Sequence, residues 1–129
     1  PFPAVVLVSG DAALNRDIAD HLTRKGVVVF RYDDTGAGDI LAAVAHLRGM
    51  TTIDPRRIGV LGHAGGAAAA MVAGATSPDV AFIVTLGSPM APGDQGRITI
   101  PVFADPEART PGIRLLSDLA AWILATPRR

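Results

Sequence analysis

Five short apolar runs, rich in valine and isoleucine, constrain this chain more than any other feature: Ala4 to Val8, Val27 to Phe30, Ile58 to Leu61, Phe82 to Leu86 and Ile98 to Phe103. A strand with one wet face alternates apolar and polar residues, whereas continuous hydrophobicity indicates burial on both faces, the pattern of a parallel sheet. Helical periodicity separates the first four runs. The first helix takes Asp11 as N-cap, repeats Leu14, Ile18 and Leu22, and stops at Gly26. A second runs from about Asp39 to Arg48 with Ile40, Val44 and Leu47 inward, and a third opens at Gly65 and ends near Gly74. The fourth, Thr110 to Ala125, is expected to use Thr110 as N-cap and Pro111 as its first residue, with Leu115, Leu116, Leu119, Trp122 and Ile123 on its inner face. The element order βαβαβαββα specifies an α/β domain, residues 1–129 forming one unit.

Pro101 cannot donate to a sheet ladder, so the last run belongs at an edge or pairs only beyond that residue. The fourth and fifth strands are joined by about ten residues, Ser88 to Arg97, which span roughly 30 Å when extended but leave no room for a helix. An under-covered apolar patch is therefore expected beside these strands, a surface suited to homo-oligomer formation.

Charge excludes two partner classes. Twelve basic residues balance twelve acidic ones, so no field draws in nucleic acid or an anionic membrane, and Arg128-Arg129 is too short to alter this. No apolar run approaches a membrane span, and no targeting segment is evident, which makes a cytoplasmic location the default expectation. Without cysteine there is no disulfide or thiolate chemistry.

Residues Arg57-Ile58-Gly59-Val60-Leu61-Gly62-His63-Ala64-Gly65-Gly66 read as a strand, a glycine-rich turn and the start of an alanine-rich helix. This is the layout of a G-x-S-x-G nucleophile elbow with Ala64 in place of serine. Further segments carry the same likeness: Val6 to Gly10, Val29 to Gly38, Ala42 to Gly66 with its Ile53-Asp54-Pro55-Arg56-Arg57 approach, Phe82 to Pro89, Ile100 to Phe103, and Leu115 to Leu124. Together they resemble bacterial α/β-hydrolases of the serine esterase and peptidase-like type. The resemblance implies a three-layer αβα sandwich around a five-stranded, mostly parallel sheet of order 2-1-3-4-5. The first and last helices would share one face, and the second and third the other. It also implies what this sequence does not supply: two amino-terminal strands, a cap after the strand ending at Leu86, and a histidine loop before the last helix.

Acyl transfer on such a fold requires a nucleophile, a histidine base, an orienting carboxylate and two backbone donors for the oxyanion. Ala64 removes the nucleophile, and none of His21, His46 and His63 follows Asp105, where the chain order of the triad places the base. His21 and His46 read as packed or solvated helix residues, and His63 as packing at the turn. Asp105 is the heir to the acid, although its neighbours Pro106 and Glu107 suggest a solvated loop. Ser88 offers a hydroxyl, but Gly87-Ser88-Pro89 also reads as a turn. The amides of Gly10, Gly65 and Gly66 could hold a small anion at a helix start, weakened by Asp11 and Asp33-Asp34 nearby. Gly36-Ala37-Gly38 lacks the rest of a dinucleotide motif, a response-regulator reading fails for want of an acceptor Asp and a Lys, and a metal set of His63, Asp33 and Asp105 is not expected. No cofactor or metal is implied.

Three readings follow. The first is a catalytically silent, minimal core of this fold, an engineered or reduced scaffold. The others are a weak esterase with its nucleophile replaced by Ala64 and a self-associating module.

Overall fold

The computed structural model describes residues 1–32, 37–88 and 98–129. The Asp33-Asp34 pair, Gly36 and the connection 89–97 lie outside the described residues. Along the chain run β1 (Phe2–Val8), α1 (Ala12–Arg24), β2 (Val28–Tyr32), α2 (Ala37–Arg48), β3 (Ile53–His63), a 3₁₀ turn (Ala64–Gly66), α3 (Ala67–Thr76), β4 (Phe82–Leu86), β5 (Val102–Asp105) and α4 (Ile113–Ala125). The five strands form one sheet of order β2-β1-β3-β4-β5, and every pair is parallel.

The continuous apolar runs arise because both faces of the sheet are covered. On β1, Ala4, Val6 and Val8 join Ile40, Val44, Leu47 and the α3 alanines in one core layer. Val5 and Leu7 point the other way, to Ile18 and Leu22 of α1 and Leu116, Leu119 and Ile123 of α4. Each fully buried aliphatic side chain contributes about 1.5–3 kcal/mol, so alternation within an unbroken apolar run stabilises two layers at once. The helices segregate as expected, with α1 and α4 on one face and α2 and α3 on the other. No described helix is long and apolar enough to cross a membrane.

Several expected boundaries shift for identifiable reasons. β3 begins at Ile53, well before Ile58, and its register against β1 slips: Phe2 pairs with Ile53 but Ala4 with Ile58. The slack takes up Pro55, which has no N–H for a ladder. β5 starts only at Val102, after Pro101, and continues to Asp105. Ile98 and Ile100 are not in the strand and pack half-buried on the α2/α3 layer. α3 opens at Ala67, because the preceding 3₁₀ turn takes Ala64–Gly66. α4 begins at Ile113 with Gly112 as its cap, so neither Thr110 nor Pro111 serves the predicted role. The carbonyl of Arg109 is held by a side chain of β3, which keeps the approach to α4 against the sheet. Asp11 does cap α1, accepting the Leu14 N–H at 3.0 Å. Beside β4 and β5, Trp122 packs edge-on against Phe82 and Phe103, with ring centroids 5.8 and 5.5 Å away, and covers the α4 side of the expected apolar patch.

The amino-terminal ends of the strands are closed by arginines. Buried Asp54 accepts the Arg56 N–H at 3.0 Å and meets Arg128 Nε at 2.9 Å, while Arg57 Nη2 donates to the Leu124 carbonyl at 2.6 Å. Arg129 donates its backbone N–H to the Arg56 carbonyl and its guanidinium to the Ser77 carbonyl. The Arg56 N–H, aided by Arg128, holds the Asp54 carboxyl below its ordinary pKa despite burial. A carboxyl with a lowered native pKa stabilises the fold above its unfolded value and loses that contribution as pH falls through the native one. Between about pH 5 and about pH 2, Asp54→Asn is therefore expected to lose less stability than the parent in denaturant titrations. Equal losses would remove Asp54 as the linked group.

Candidate functional site

Sheet register brings the carboxyl ends of four strands to one level. Val8 pairs with Gly62, Gly62 with Thr85, His63 with Leu86, and Leu86 with Asp105. Ser9, His63, Ala64, Ser88 and Asp105 thus gather along a single sheet edge, where loops of an open α/β sheet present ligand-binding groups.

The turn from β3 into α3 is sharp. Ala64 has φ +52°, a left-handed conformation that costs a residue with a Cβ about 1–2 kcal/mol, and it is the only non-glycine residue with positive φ among the described residues. Its methyl group is exposed at the sheet edge. The flanking glycines allow the chain to double back. A Cβ on Gly62 would lie 2.4 Å from the Gly66 carbonyl oxygen and 2.7 Å from Ala67 Cα, and one on Gly66 would lie 2.2 Å from the Val8 carbonyl oxygen. Both contacts are with backbone, which cannot move aside. Gly10 and Gly65 face open space, so of the three glycines expected to hold an anion, only Gly66 is packed against the sheet.

His63 is 6% exposed, and both ring nitrogens are engaged. Nε2 lies 2.7 Å from the Arg109 carbonyl oxygen and Nδ1 lies 3.4 Å from Ser9 Oγ. A carbonyl can only accept, so Nε2 carries the proton and Nδ1 is left as an acceptor for the Ser9 hydroxyl. Ser9 Oγ in turn accepts the Asp11 N–H at 3.2 Å, and the Ser9 carbonyl accepts from buried Asn15 Nδ2 at 2.9 Å. The ring therefore ties the ends of β1 and β3 to the loop before α4. A general base needs a lone pair aimed at the reacting group. In His63 that lone pair is turned to Ser9.

The remaining expected residues are placed apart from any such base. Asp105 Oδ1 accepts the Glu107 N–H at 3.2 Å, and its carbonyl accepts the Gly87 N–H at 2.9 Å, which makes it a turn-forming residue. It sits two strands from His63, roughly 10 Å across the ladder. Ser88 is half-buried in a bend after Gly87. His21 Nε2 meets Ser117 Oγ at 3.3 Å between α1 and α4, and His46 packs its ring on Phe30. Among the described residues no three potential ligands converge on a metal position. Ser9 and Asn15 are part of the arrangement and escaped the sequence reading, although Asn15 interrupts the inner stripe of α1 with a polar residue.

Similar architecture is found in known structures. A 2,6-dihydroxy-pseudo-oxynicotine hydrolase superposes with a TM-score of 0.78 at 16% identity, over 98% of this chain and 61% of its own. The chain has an α/β-hydrolase-like fold. A CE15 glucuronoyl esterase from Teredinibacter turnerae matches at TM-score 0.61 and 17% identity, over 70% of this chain and 34% of its own. DcsB, solved with a substrate analogue, matches at 0.58 and 19%, over 74% and 41%. This chain thus spans less than two thirds of the length of each of these proteins. No protein-family model and no curated protein matches the sequence. Within the α/β-hydrolase-like fold, the turn at Gly62–Gly66 lies where β3 gives way to α3.

Gly62→Ala is expected to destabilise by more than about 2 kcal/mol, because its Cβ meets backbone, whereas Gly65→Ala, with open space, should change stability by less than about 1 kcal/mol. Chemical denaturation of the two variants separates these outcomes, and similar losses would contradict the packing of the turn. Ala64→Gly should raise stability by about 0.5–1 kcal/mol, since relief of the left-handed strain exceeds the added chain entropy. A lower midpoint in the same measurement would show that the turn is not strained at residue 64.

Proposed function

We propose that the chain is a catalytically silent, minimal α/β-hydrolase core, a reduced or engineered scaffold whose turn at Ala64 is a nucleophile elbow without its nucleophile. The observation that carries this reading is the double engagement of His63. A missing serine alone would leave an enzyme one substitution from activity. Here the only histidine at the sheet edge, among the described residues, donates to the Arg109 carbonyl and accepts from Ser9, so a hydroxyl at position 64 has no imidazole to take its proton. Asp105, in the position of a triad acid, is bonded within its own turn. Backbone geometry is kept while each side-chain role is empty or reassigned.

The rival reading, a weak esterase lacking only its serine, has one feature in its favour: Ala64 retains the left-handed φ that presents a side chain above the sheet. The variant Ala64→Ser discriminates the two. The silent core predicts no labelling by a fluorophosphonate probe and no turnover of p-nitrophenyl acetate above the parent protein. Stoichiometric labelling with burst kinetics would establish the esterase reading instead.

A further inference from the structure

We infer that the arginine-lined recess at the amino-terminal ends of the strands, opposite the Ala64 turn, binds a small phosphate-type oxyanion. The recess is lined by Arg48, Pro55, Arg56, Pro78, Asp79 and Arg129, and its volume is about 190 Å³. That is room for roughly six waters, enough for one tetrahedral oxyanion with part of its hydration.

The lining is rich in donors. Each guanidinium carries five N–H groups in a planar fork and no acceptor. Arg48 Nη1 pairs with Asp79, and Arg129 Nη1 donates to the Ser77 and Val80 carbonyls, which leaves further N–H groups on both. The exposed Arg56 side chain makes no hydrogen bond among the described residues, and only its backbone is engaged, with Asp54 and Arg129. Pro55 and Pro78 add rigid walls without an N–H of their own.

Although the whole protein is neutral, charge is uneven. Arg48, Arg56, Arg57, Arg128 and Arg129 gather at this end, and among the described residues their carboxylate partners are Asp54 and Asp79. The carboxyl ends of α2, α3 and α4 also lie here and contribute about half a negative charge each. Five guanidinium groups against two carboxylates and three helix ends leave an excess of about 1.5 positive charges. Arg57 and Arg128 are engaged with Leu124 and Asp54, so Arg56 is the group with the most capacity for a new partner.

The inference does not rest on the reading of the Ala64 turn. Its test is a titration of the intact protein with sodium phosphate at constant ionic strength, followed by amide chemical shifts and by Tm, with sodium chloride as comparator. The expected result is saturable shifts confined to residues 48, 55–57, 78–80 and 129. Arg56→Gln should weaken binding about tenfold, the loss of one charge-assisted hydrogen bond, and leave the Tm of the unliganded protein unchanged. Arg16→Gln, on the exposed face of α1, should bind as the parent does. Saturation by phenyl phosphate as well as by inorganic phosphate would assign the site to phosphomonoesters, and saturation by inorganic phosphate alone would assign it to the free ion. Equal responses to phosphate and chloride, or an Arg56→Gln variant that binds like the parent, would overturn the inference.

Discussion

The close approach of backbone to backbone at Gly62 and Gly66 is the constraint on which the rest of this structure depends. β3 reaches the sheet edge beside β1, and α3 must begin almost on top of the strand it has just left. The chain achieves this only where no Cβ intervenes, with Gly66 against the Val8 carbonyl and Gly62 beneath Ala67. The left-handed residue between them, Ala64, completes the reversal. The alanine-rich inner face of α3 then lies close over the sheet, and the α2/α3 layer is closed mainly by small and branched residues, joined by Met71 and the half-buried Phe30.

His63 secures the same turn from the other face. Its ring bridges β1, through Ser9, and the loop before α4, through the Arg109 carbonyl. Three segments far apart in sequence are fixed by one buried imidazole, whose polar atoms would be costly to leave unpaired. The hydrogen bond that accompanies the late start of α4 is thus the one that occupies His63 Nε2. The residue next to Ala64 thus has a structural occupation of its own.

Much of this architecture is legible in the sequence, because its signals are local. Unbroken apolar runs announce strands covered on both sides, Asp11 announces the start of α1, and Pro101 announces that β5 begins late. The hidden features depend on contacts between distant segments. Nothing near Thr110 and Pro111, a good local helix start, signals that the preceding carbonyl is claimed by His63. The long β3 is hidden by Pro55, whose strand membership requires the slipped register against β1. Arg128 and Arg129 read as a short charged tail, yet they close the lower end of the sheet through Asp54, Arg56 and Ser77. The motif at residues 62–66 correctly locates the turn, but the partners of His63 decide what that turn can do.

The central claim, that His63 is a structural bridge and not an available base, is tested most directly by its tautomer. Long-range proton–nitrogen correlation NMR on protein labelled with ¹⁵N in histidine reports which ring nitrogen carries the proton at neutral pH. The account predicts a single Nε2–H form, with that proton in slow exchange and Nδ1 shifted as a hydrogen-bonded acceptor. A Nδ1–H form, or a ring averaging between the two tautomers, would contradict it.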